Sequence, residues 1–216
     1  AELVDWKVAT QQICDYCYPP YARWFVGGVT NLCHNAVDRH LATRAEQPAL
    51  IFVSTETNQE LVYSFRELHA EVQRMAAVLK SLGVEKGDRV LIYMPMVAEA
   101  AFAMLACARI GAIHSVVFGG FASGSLASRI EDASPKVVVS ADAGSRGGKA
   151  VAYKPLLDEA IRLSSHKPDA VLLVDRGLEK MDLVTGRDHL WAPLRAQHLN
   201  TVVPCEWVDA THPSYT

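Results

Sequence analysis

The residues with the clearest chemical potential lie between positions 112 and 149, where glycines and cations follow two apolar runs. The runs at 114–118 and 136–140 have the composition of β-strands. Gly119 and Gly120 follow the first run, and the second is followed by Gly144 and then by a turn that reads Arg146-Gly147-Gly148-Lys149. In an open α/β sheet, ligands bind beyond the carboxyl ends of parallel strands, where glycines let an anion approach the backbone N–H groups. The stretch therefore indicates a site for a ligand that carries phosphate.

Two well-known phosphate loops do not fit these residues. A P-loop ending at Gly148 and Lys149 requires glycine at 143 and serine or threonine at 150, and both positions are alanine. A dinucleotide fingerprint starting at Gly119 requires glycine at position 121, which is Phe121. What remains is a pair of cations around two glycines, of which arginine binds phosphate bidentately and lysine acts as a point charge.

Simpler interpretations of the same residues stay open at this point. The Arg146–Lys149 turn is also consistent with a solvated surface turn in which Asp142 pairs with Arg146, a contact worth under about 1 kcal/mol. Gly119 and Gly120 are consistent with a tight turn. His114 lies inside an apolar strand, and we interpret it as a core histidine with its hydrogen bonds satisfied rather than as a base.

Other catalytic and metal-binding patterns are not supported. The pair Cys14-x-x-Cys17 is followed by the adjacent residues Cys33 and His34, which lack the spacer of a zinc site, so we predict no metal site. The sequence contains neither G-x-S-x-G nor H-E-x-x-H, which argues against a serine hydrolase and a zinc protease.

Composition limits the partners and the compartment. The 216 residues carry a formal net charge of −3, which argues against nucleic acid or an anionic membrane as a partner. The longest uncharged run, 110–128, contains a histidine and several glycines and serines and fails as a membrane span. No basic segment precedes an apolar one as in a secretory signal. Five scattered cysteines favour a reducing cytoplasm.

Regular alternation of elements predicts an α/β fold with a mostly parallel sheet and helices on both faces. Strands are predicted at 49–54, 61–65, 89–94, 114–118, 137–140, 170–174 and 202–208, and helices at 32–45, 64–83, 97–110, 123–132, 154–164 and 190–199. Asn31 is the predicted cap of the first helix, with its apolar side formed by Leu32, Ala36, Val37 and Leu41. Ser64 forms a capping box with Glu67, and Ser123 or Ser125 caps the helix that follows residue 122.

The first 30 residues are predicted to be an irregular, aromatic-rich arm, because Pro19-Pro20 prevents a helix. So many aromatic rings favour packing against a larger body. We therefore divide the chain into an arm with a capping helix, residues 1–48, and an α/β body, residues 49–216.

Four segments are specific enough to resemble a known family. They are RWFVGGVTNLCHNAVDRH at 23–40, YMPM at 93–96, ARIGAIHSVVFGGF at 108–121 and SADAGSRGGK at 140–149. In order and spacing they resemble the short-chain acyl-CoA synthetases of the adenylate-forming enzymes, and the resemblance covers essentially the whole chain. The NLCHN and RGGK forms are more similar to the propionate–CoA ligase branch than to the acetate–CoA ligases, which tend to place arginine where Lys149 stands.

The resemblance implies a two-step reaction within an N-terminal domain of that family. ATP and a short carboxylate such as propionate give an acyl-adenylate and pyrophosphate with Mg²⁺, and the thiol of CoA then displaces AMP. It implies that Arg146, Gly147, Gly148 and Lys149 contact the phosphates of the CoA nucleotide, with Gly119 and Gly120 beside the adenosine end. No catalytic residue is expected in this chain.

In that family, the segment after Pro213-Ser214-Tyr215 continues into a glycine-rich ATP loop. The resemblance therefore implies an N-terminal piece without the ATP loop, the carboxylate pocket, the Mg²⁺ ligand and the C-terminal domain, which would be inactive alone. The alternatives are an acetate–CoA ligase, a non-catalytic CoA- or nucleotide-binding module, and a scaffold piece that binds no ligand. Unpaired sheet edges lead us to expect self-association.

Overall fold

The computed structural model describes residues 3–216, except for the side chain of Arg146. The strands are β1 (Gln12–Tyr18), β2 (Tyr21–Val26), β3 (Val29–Thr30), β4 (Pro48–Ser54), β5 (Gln59–Ser64), β6 (Arg89–Met94), β7 (Ile113–Phe118), β8 (Val137–Ala141), β9 (Ala143–Arg146), β10 (Lys149–Ala152), β11 (Ala170–Val174), β12 (Asp188–Leu190) and β13 (Val208–Asp209). The helices are α1 (Leu32–Ala36), α2 (Leu41–Arg44), α3 (Phe65–Ser81), α4 (Ala98–Ile110), α5 (Ser123–Ala133), α6 (Tyr153–Leu163) and α7 (Trp191–Gln197), with a 3₁₀ turn at Asp38–His40.

A five-stranded sheet forms the centre of the molecule. Its strand order is β12-β11-β8-β6-β7, and every neighbouring pair is parallel. One face packs on α3, α4 and α7, and the other packs on α5 and α6. The strands β6, β8 and β11 are buried on both faces because helices cover both. The predicted α/β class, with helices on both faces of a parallel sheet, is confirmed.

Local signals set the ends of the long helices where the sequence predicted them. Ser64 and Glu67 form the reciprocal capping box at the start of α3. Gly111 ends α4 in the left-handed conformation, with φ +70°. The start of α5 differs from the prediction, because Ala122 is the N-cap and makes no side-chain capping bond.

The edge strand β7 differs from the solid apolar strand that was predicted. Val116 and Phe118 are more than half exposed on the face that α3 and α4 cover elsewhere. At the other end of β7, His114 N–H donates to Ser214 and Thr216 N–H donates to His114, so the final residues run parallel to this strand. No helix in residues 3–216 combines the length and the apolar character that a membrane crossing needs.

The irregular arm was a wrong prediction, because residues 12–26 form the antiparallel hairpin β1–β2 with Pro19 and Pro20 at its turn. Proline prevents a helix but is compatible with a turn, and aromatic residues favour strands. The rings of Tyr16, Tyr18, Tyr21 and Trp24 are more than half exposed, so packing on the described body does not account for them. Phe25 does pack, on Trp6.

The helix predicted at 32–45 is also interrupted. Asn31 caps it as expected, but α1 ends at Ala36, and Val37 leaves the helical conformation with φ −128°. Of the predicted apolar side, Val37 does face the core, together with Cys33, but Leu32 is exposed, so that part of the prediction was wrong.

The strand predicted at 202–208 was wrong except at Val208, which begins the two-residue β13. Side chains from elsewhere in the fold bind the preceding backbone instead. Gln73 accepts from the N–H of Val203 at 2.7 Å, and Arg109 donates to its carbonyl at 2.6 Å. These contacts replace a strand partner.

Three polar residues, two of them buried and one partly exposed, join the N-terminal segment, the end of α4 and residues 201–207. The side-chain amide of Asn31 donates to the carbonyls of Ala108 and Glu206, both at 2.7 Å. Arg109 is 3% exposed and binds both carboxylate oxygens of Asp38, at 2.8 and 2.9 Å. Burial opposes ionisation of Asp38, but hydrogen bonds from His69 and Arg109 outweigh it and lower the pKa of the carboxyl. We call these residues the Asp38–Arg109 junction.

We expect Asp38→Asn to lower the free energy of unfolding at pH 7 by about 3 kcal/mol, because it leaves the buried Arg109 without its charge partner. Because the pKa of Asp38 is lower in the folded chain, its contribution is fully present above the unfolded pKa of 3.8 and is lost as the pH falls through the folded value. The difference between the two proteins in urea unfolding should therefore shrink below pH 4. The control Asp132→Asn, at an exposed carboxyl on α5, should change neither the free energy of unfolding nor its dependence on pH. A difference that does not depend on pH would contradict this assignment.

Candidate functional site

The two glycine-containing segments meet at the carboxyl ends of the strands because β6 pairs with both β7 and β8. Met94 is opposite Phe118 on one side, and Tyr93 is opposite Ser140 on the other. The carboxyl ends of β6, β7 and β8 therefore lie side by side. The expected position of a ligand site, beyond the ends of parallel strands, exists in this fold.

The buried ring of Tyr153, at the start of α6, lies against the turn that follows β7 and against strand β9. A Cβ added to Gly119 would lie 2.7 Å from Cζ of Tyr153, and one added to Gly144 would lie 2.8 Å from the same atom. The other side of the ring packs on Tyr93, with centroids 4.9 Å apart. Glycine is required at 119 and 144 because a side chain, rather than a ligand, approaches the backbone there.

Both tyrosine hydroxyls remain protonated at neutral pH. Burial raises the pKa of Tyr93 to about 12. Burial also raises the pKa of Tyr153, and the carboxylate of Glu56 adds to the effect. Tyr93 donates its hydroxyl to the carbonyl of Phe121 at 3.2 Å, which fixes the turn that contains Gly119 and Gly120. These residues position the turns and do not act as bases.

The Arg146–Lys149 turn closes a β-hairpin that the sequence analysis missed. β9 and β10 are antiparallel, and Arg146 is opposite Lys149. Gly147 and Gly148 form the two-residue turn with φ of +59° and +77°, the conformation that such hairpins require. A Cβ at either glycine would meet nothing within 4 Å, and Lys149 is exposed. The backbone at the tip of the hairpin is therefore open to solvent.

Two carboxylates hold this hairpin to the body. Asp142 is fully buried and accepts from the N–H groups of Ala143 and Leu178, both at 2.7 Å. The alternative of a solvated Asp142–Arg146 surface pair was therefore wrong. Glu56, from the turn between β4 and β5, accepts from the N–H of Ser145 and pairs with Arg176. Sequence gave no signal for Glu56, because its partners lie about 90 and 120 residues away.

A cleft of about 410 Å³ opens beside these turns. Its walls come from the ends of β4, β6 and β7, and it is lined by Val53, Ser54, Thr55, Glu56, Met94, Pro95, Met96, Val116, Val117, Phe118, Gly119, Ser145 and Tyr153. Among the residues predicted to bind a ligand, only Gly119 is in this lining. Gly120 has φ +88° with open space around it, and the tip of the hairpin begins one residue beyond Ser145. The structure thus brings one predicted glycine into the cleft and leaves residues 147–149 outside its lining. The side chain of Arg146 is outside the described part of the chain.

His114 lies apart from this site, four residues before the end of β7, or about 13 Å along the strand. Burial lowers the pKa of its imidazole. Its Nδ1 is buried and has no hydrogen-bond partner within residues 3–216, so the interpretation as a fully satisfied core histidine was wrong. Its ring centroid is 6.3 Å from that of Tyr215.

Known proteins resemble this chain along its whole length. The family model described as "AMP-binding enzyme" matches residues 37–214, and the one described as "Acetyl-coenzyme A synthetase N-terminus" matches residues 1–36. The propionate–CoA ligase of Escherichia coli is 58% identical over 214 residues, which are 99% of this chain and 34% of that protein. The acetyl-coenzyme A synthetase of Methylobacterium radiotolerans is 45% identical over 98% of this chain and 33% of its own.

A solved structure agrees with these matches. Acetoacetyl-CoA synthetase from Streptomyces lividans superposes with a TM-score of 0.85 at 28% identity, covering 98% of this chain and 32% of that one. The chain spans about a third of the length of these relatives.

We expect Gly119→Ala and Gly144→Ala each to lower the free energy of unfolding by about 1–3 kcal/mol, because the new methyl group overlaps the ring of Tyr153. Urea unfolding followed by circular dichroism measures the loss. The matched control is Gly124→Ala in α5, where a Cβ meets nothing within 4 Å and the change should raise stability by up to about 1 kcal/mol. Equal effects at positions 119 and 124 would show that Tyr153 imposes no constraint.

Proposed function

The chain belongs to the family of AMP-binding enzymes, and from this premise we propose that it supplies part of the CoA nucleotide site of an ATP-dependent propionate–CoA ligase. The proposed reaction converts propionate, ATP and CoA into propionyl-CoA, AMP and diphosphate through an acyl-adenylate. The observation that carries the proposal is the 58% identity, over 99% of this chain, to the propionate–CoA ligase of Escherichia coli. An acetate–CoA ligase is the second candidate, favoured by the match to an acetyl-coenzyme A synthetase.

The hairpin tip is the proposed contact for the phosphates of CoA, the 3′-phosphate especially. Support comes from the conformation of Gly147 and Gly148, where an added Cβ would meet nothing within 4 Å, so a ligand can approach the backbone closely. Lys149 is exposed at the same tip and offers a positive charge. Arg146, opposite Lys149 in the register, is proposed as the second cation. A phosphate with nearly two negative charges requires such donors on a fixed backbone.

Gly119 and Gly120 are proposed to lie beside the adenosine end of CoA. The support is that Gly119 lines the 410 Å³ cleft and that an added Cβ at Gly120 would meet open space. The packed rings of Tyr93 and Tyr153 hold the turn in position. In this proposal the described residues bind and orient CoA. They hold no group that attacks the carboxylate, and Ser145 and Glu56 shape the cleft without taking part in the chemistry.

ATP, Mg²⁺ and the carboxylate are proposed to bind residues that correspond to the other two thirds of the relatives. The division proposed for this chain is an arm with its capping helix, residues 1–48, followed by part of the AMP-binding body, residues 49–216. A cytoplasmic location is proposed on the five cysteines, all of which have free thiols. Self-association through unpaired sheet edges stays a prediction, as do small molecules as the only partners.

We expect Lys149→Glu, in a protein of the relatives' full length that carries this chain, to raise the KM for CoA about tenfold or more, because a charge-assisted contact with phosphate is lost. Arg146→Glu should act in the same way. The adenylation half-reaction, measured as propionate-dependent exchange of pyrophosphate into ATP, should be unchanged.

The control for this experiment is Lys80→Glu, at an exposed lysine near the end of α3 that lies beside Ile110, at the end of α4 away from the cleft. It carries the same change of charge and should leave the KM for CoA unaltered. An equal loss in both half-reactions, or an equal effect at Lys80, would argue against the CoA assignment.

We also expect the 216-residue chain by itself to release no pyrophosphate from ATP and propionate, because the groups proposed to bind ATP and Mg²⁺ correspond to other parts of the relatives. A coupled pyrophosphate assay on the purified chain tests this. Release above the level of a heat-denatured sample would overturn the proposal that this chain is only a contributor. Calorimetry with CoA tests the scaffold alternative, since a scaffold piece gives no heat. Turnover by a protein of the relatives' full length separates a ligase from a non-catalytic binding module.

A further inference from the structure

Two cysteines from opposite ends of the sequence meet at the Asp38–Arg109 junction. Cys33 is in the first turn of α1, and Cys205 is in the irregular segment at 201–207. Their sulfurs and a carboxylate oxygen of Asp38 all lie within 4.8 Å of one another. Each sulfur is 3.9 Å from a different oxygen of Asp38. Cys33 is fully buried, whereas Cys205 is half-buried and is the less enclosed of the two residues.

Two thiols and a carboxylate also suggest a metal site, but the charges of the junction argue against one. Arg109 donates to both oxygens of Asp38, and its Nη1 is also 3.5 Å from Sγ of Cys33. A metal cation here would face a buried guanidinium and would have to displace it from the carboxylate. Thiol chemistry, which needs no second cation, fits this environment better.

The two thiols are not equivalent. The hydrogen bond from Cys33 and the charge of Arg109 lower the pKa of Cys205, against the effect of burial. The hydrogen bond to Cys205 and burial raise the pKa of Cys33. The thiolate is the nucleophilic form of cysteine, so Cys205, the less buried of the two residues, is also the more reactive one.

The backbone on both sides of Cys205 is held in place, so the two sulfurs stay close. Gln73 and Arg109 bind Val203, as described above, and the N–H of Glu206 donates to the carbonyl of Arg109 at 2.7 Å. Asn31 binds the carbonyl of Glu206 while its Oδ1 caps α1 two residues before Cys33. A disulfide needs a sulfur–sulfur distance near 2.05 Å, which a movement of less than about 3 Å supplies from the observed arrangement.

We propose that Cys33 and Cys205 are a site of reversible disulfide formation with a small disulfide such as oxidised glutathione. The thiolate of Cys205 attacks one sulfur of glutathione disulfide, and one glutathione leaves as a thiolate. The thiol of Cys33 then attacks the sulfur of Cys205, and its proton goes to the second glutathione, which this step releases from Cys205. Two cysteine thiols are oxidised, and one glutathione disulfide is reduced to two thiols.

The product would join α1 covalently to the segment at 201–207. Most of the chain lies between the two residues, so the bond would close a long loop in the unfolded chain. Disulfides that close long loops stabilise chiefly by restricting the unfolded state. We therefore expect oxidation to raise the urea midpoint of unfolding.

The test uses the 216-residue chain with Cys14→Ser and Cys17→Ser, which removes the other pair and leaves Cys33, Cys107 and Cys205. The protein is incubated with oxidised glutathione or with dithiothreitol, alkylated, digested with trypsin and analysed by mass spectrometry. We expect the loss of two alkylatable thiols, a cross-linked Cys33–Cys205 peptide and a raised urea midpoint, all reversed by dithiothreitol. The proposal is overturned if both cysteines remain alkylatable or if each carries glutathione without a cross-link.

Variants at the two positions identify the order of the steps. With Cys33→Ala, Cys205 should stop at the mixed disulfide with glutathione. With Cys205→Ala, Cys33 should remain unmodified because it is buried. Modification of Cys33 in that variant contradicts the order, and the cross-link in the parent, which has both cysteines, tests the pair even if a variant fails to fold. Protection of both thiols by zinc alone in the reduced protein would favour a metal site and overturn the proposal.

Discussion

The position of β6 between β7 and β8 is the constraint on which the candidate site depends. A strand with parallel partners on both sides brings the chain segments that follow its neighbours to the same edge of the sheet. It also places Tyr93 on the face where Tyr153 lies, and Tyr153 contacts Gly119 and Gly144 together. Gly119 and Gly144 are about 25 residues apart in sequence, yet a single buried ring fixes the distance between them. A change in the pairing of β6 would therefore disrupt the cleft and the base of the hairpin at once.

Rigidity at the base of the hairpin explains how an exposed turn can serve as a binding element. The oxygens of Asp142 are buried and accept backbone N–H groups from two segments, and Glu56 does the same for Ser145 from a third. Unpaired buried carboxylates would be costly, but these have their hydrogen bonds satisfied. The tip at Gly147 and Gly148 extends from this fixed base, with open space where a Cβ would stand at either glycine. A ligand bound there would pay little entropy to order the backbone.

Local pattern predicted the parts of the fold that local interactions determine. The capping box at Ser64, the apolar run of β6 and the end of α4 at Gly111 each depend on neighbours in sequence. The segment at 202–208 failed because its partners are distant in sequence: Gln73 and Arg109 bind its backbone. The hairpins β1–β2 and β9–β10 are local, and they were missed because proline and glycine pairs were interpreted as irregular backbone rather than as the turns of hairpins. At the site, the sequence pointed to the glycines, but it did not show why positions 119 and 144 require glycine. Their neighbour is Tyr153, which enters only through the packing of α6.

The Asp38–Arg109 junction and the cleft lie at opposite ends of α4, which separates them by its 13 residues, or about 20 Å. The helix begins three residues after Pro95 in the cleft and ends beside Arg109. Its residues are mostly buried between α3 and the sheet, so it has little freedom to move alone. Coupling between two sites requires an element with two discrete arrangements, and a closely packed helix has only a single arrangement. A covalent link at the junction should therefore alter the stability of the body as a whole far more than the shape of the cleft.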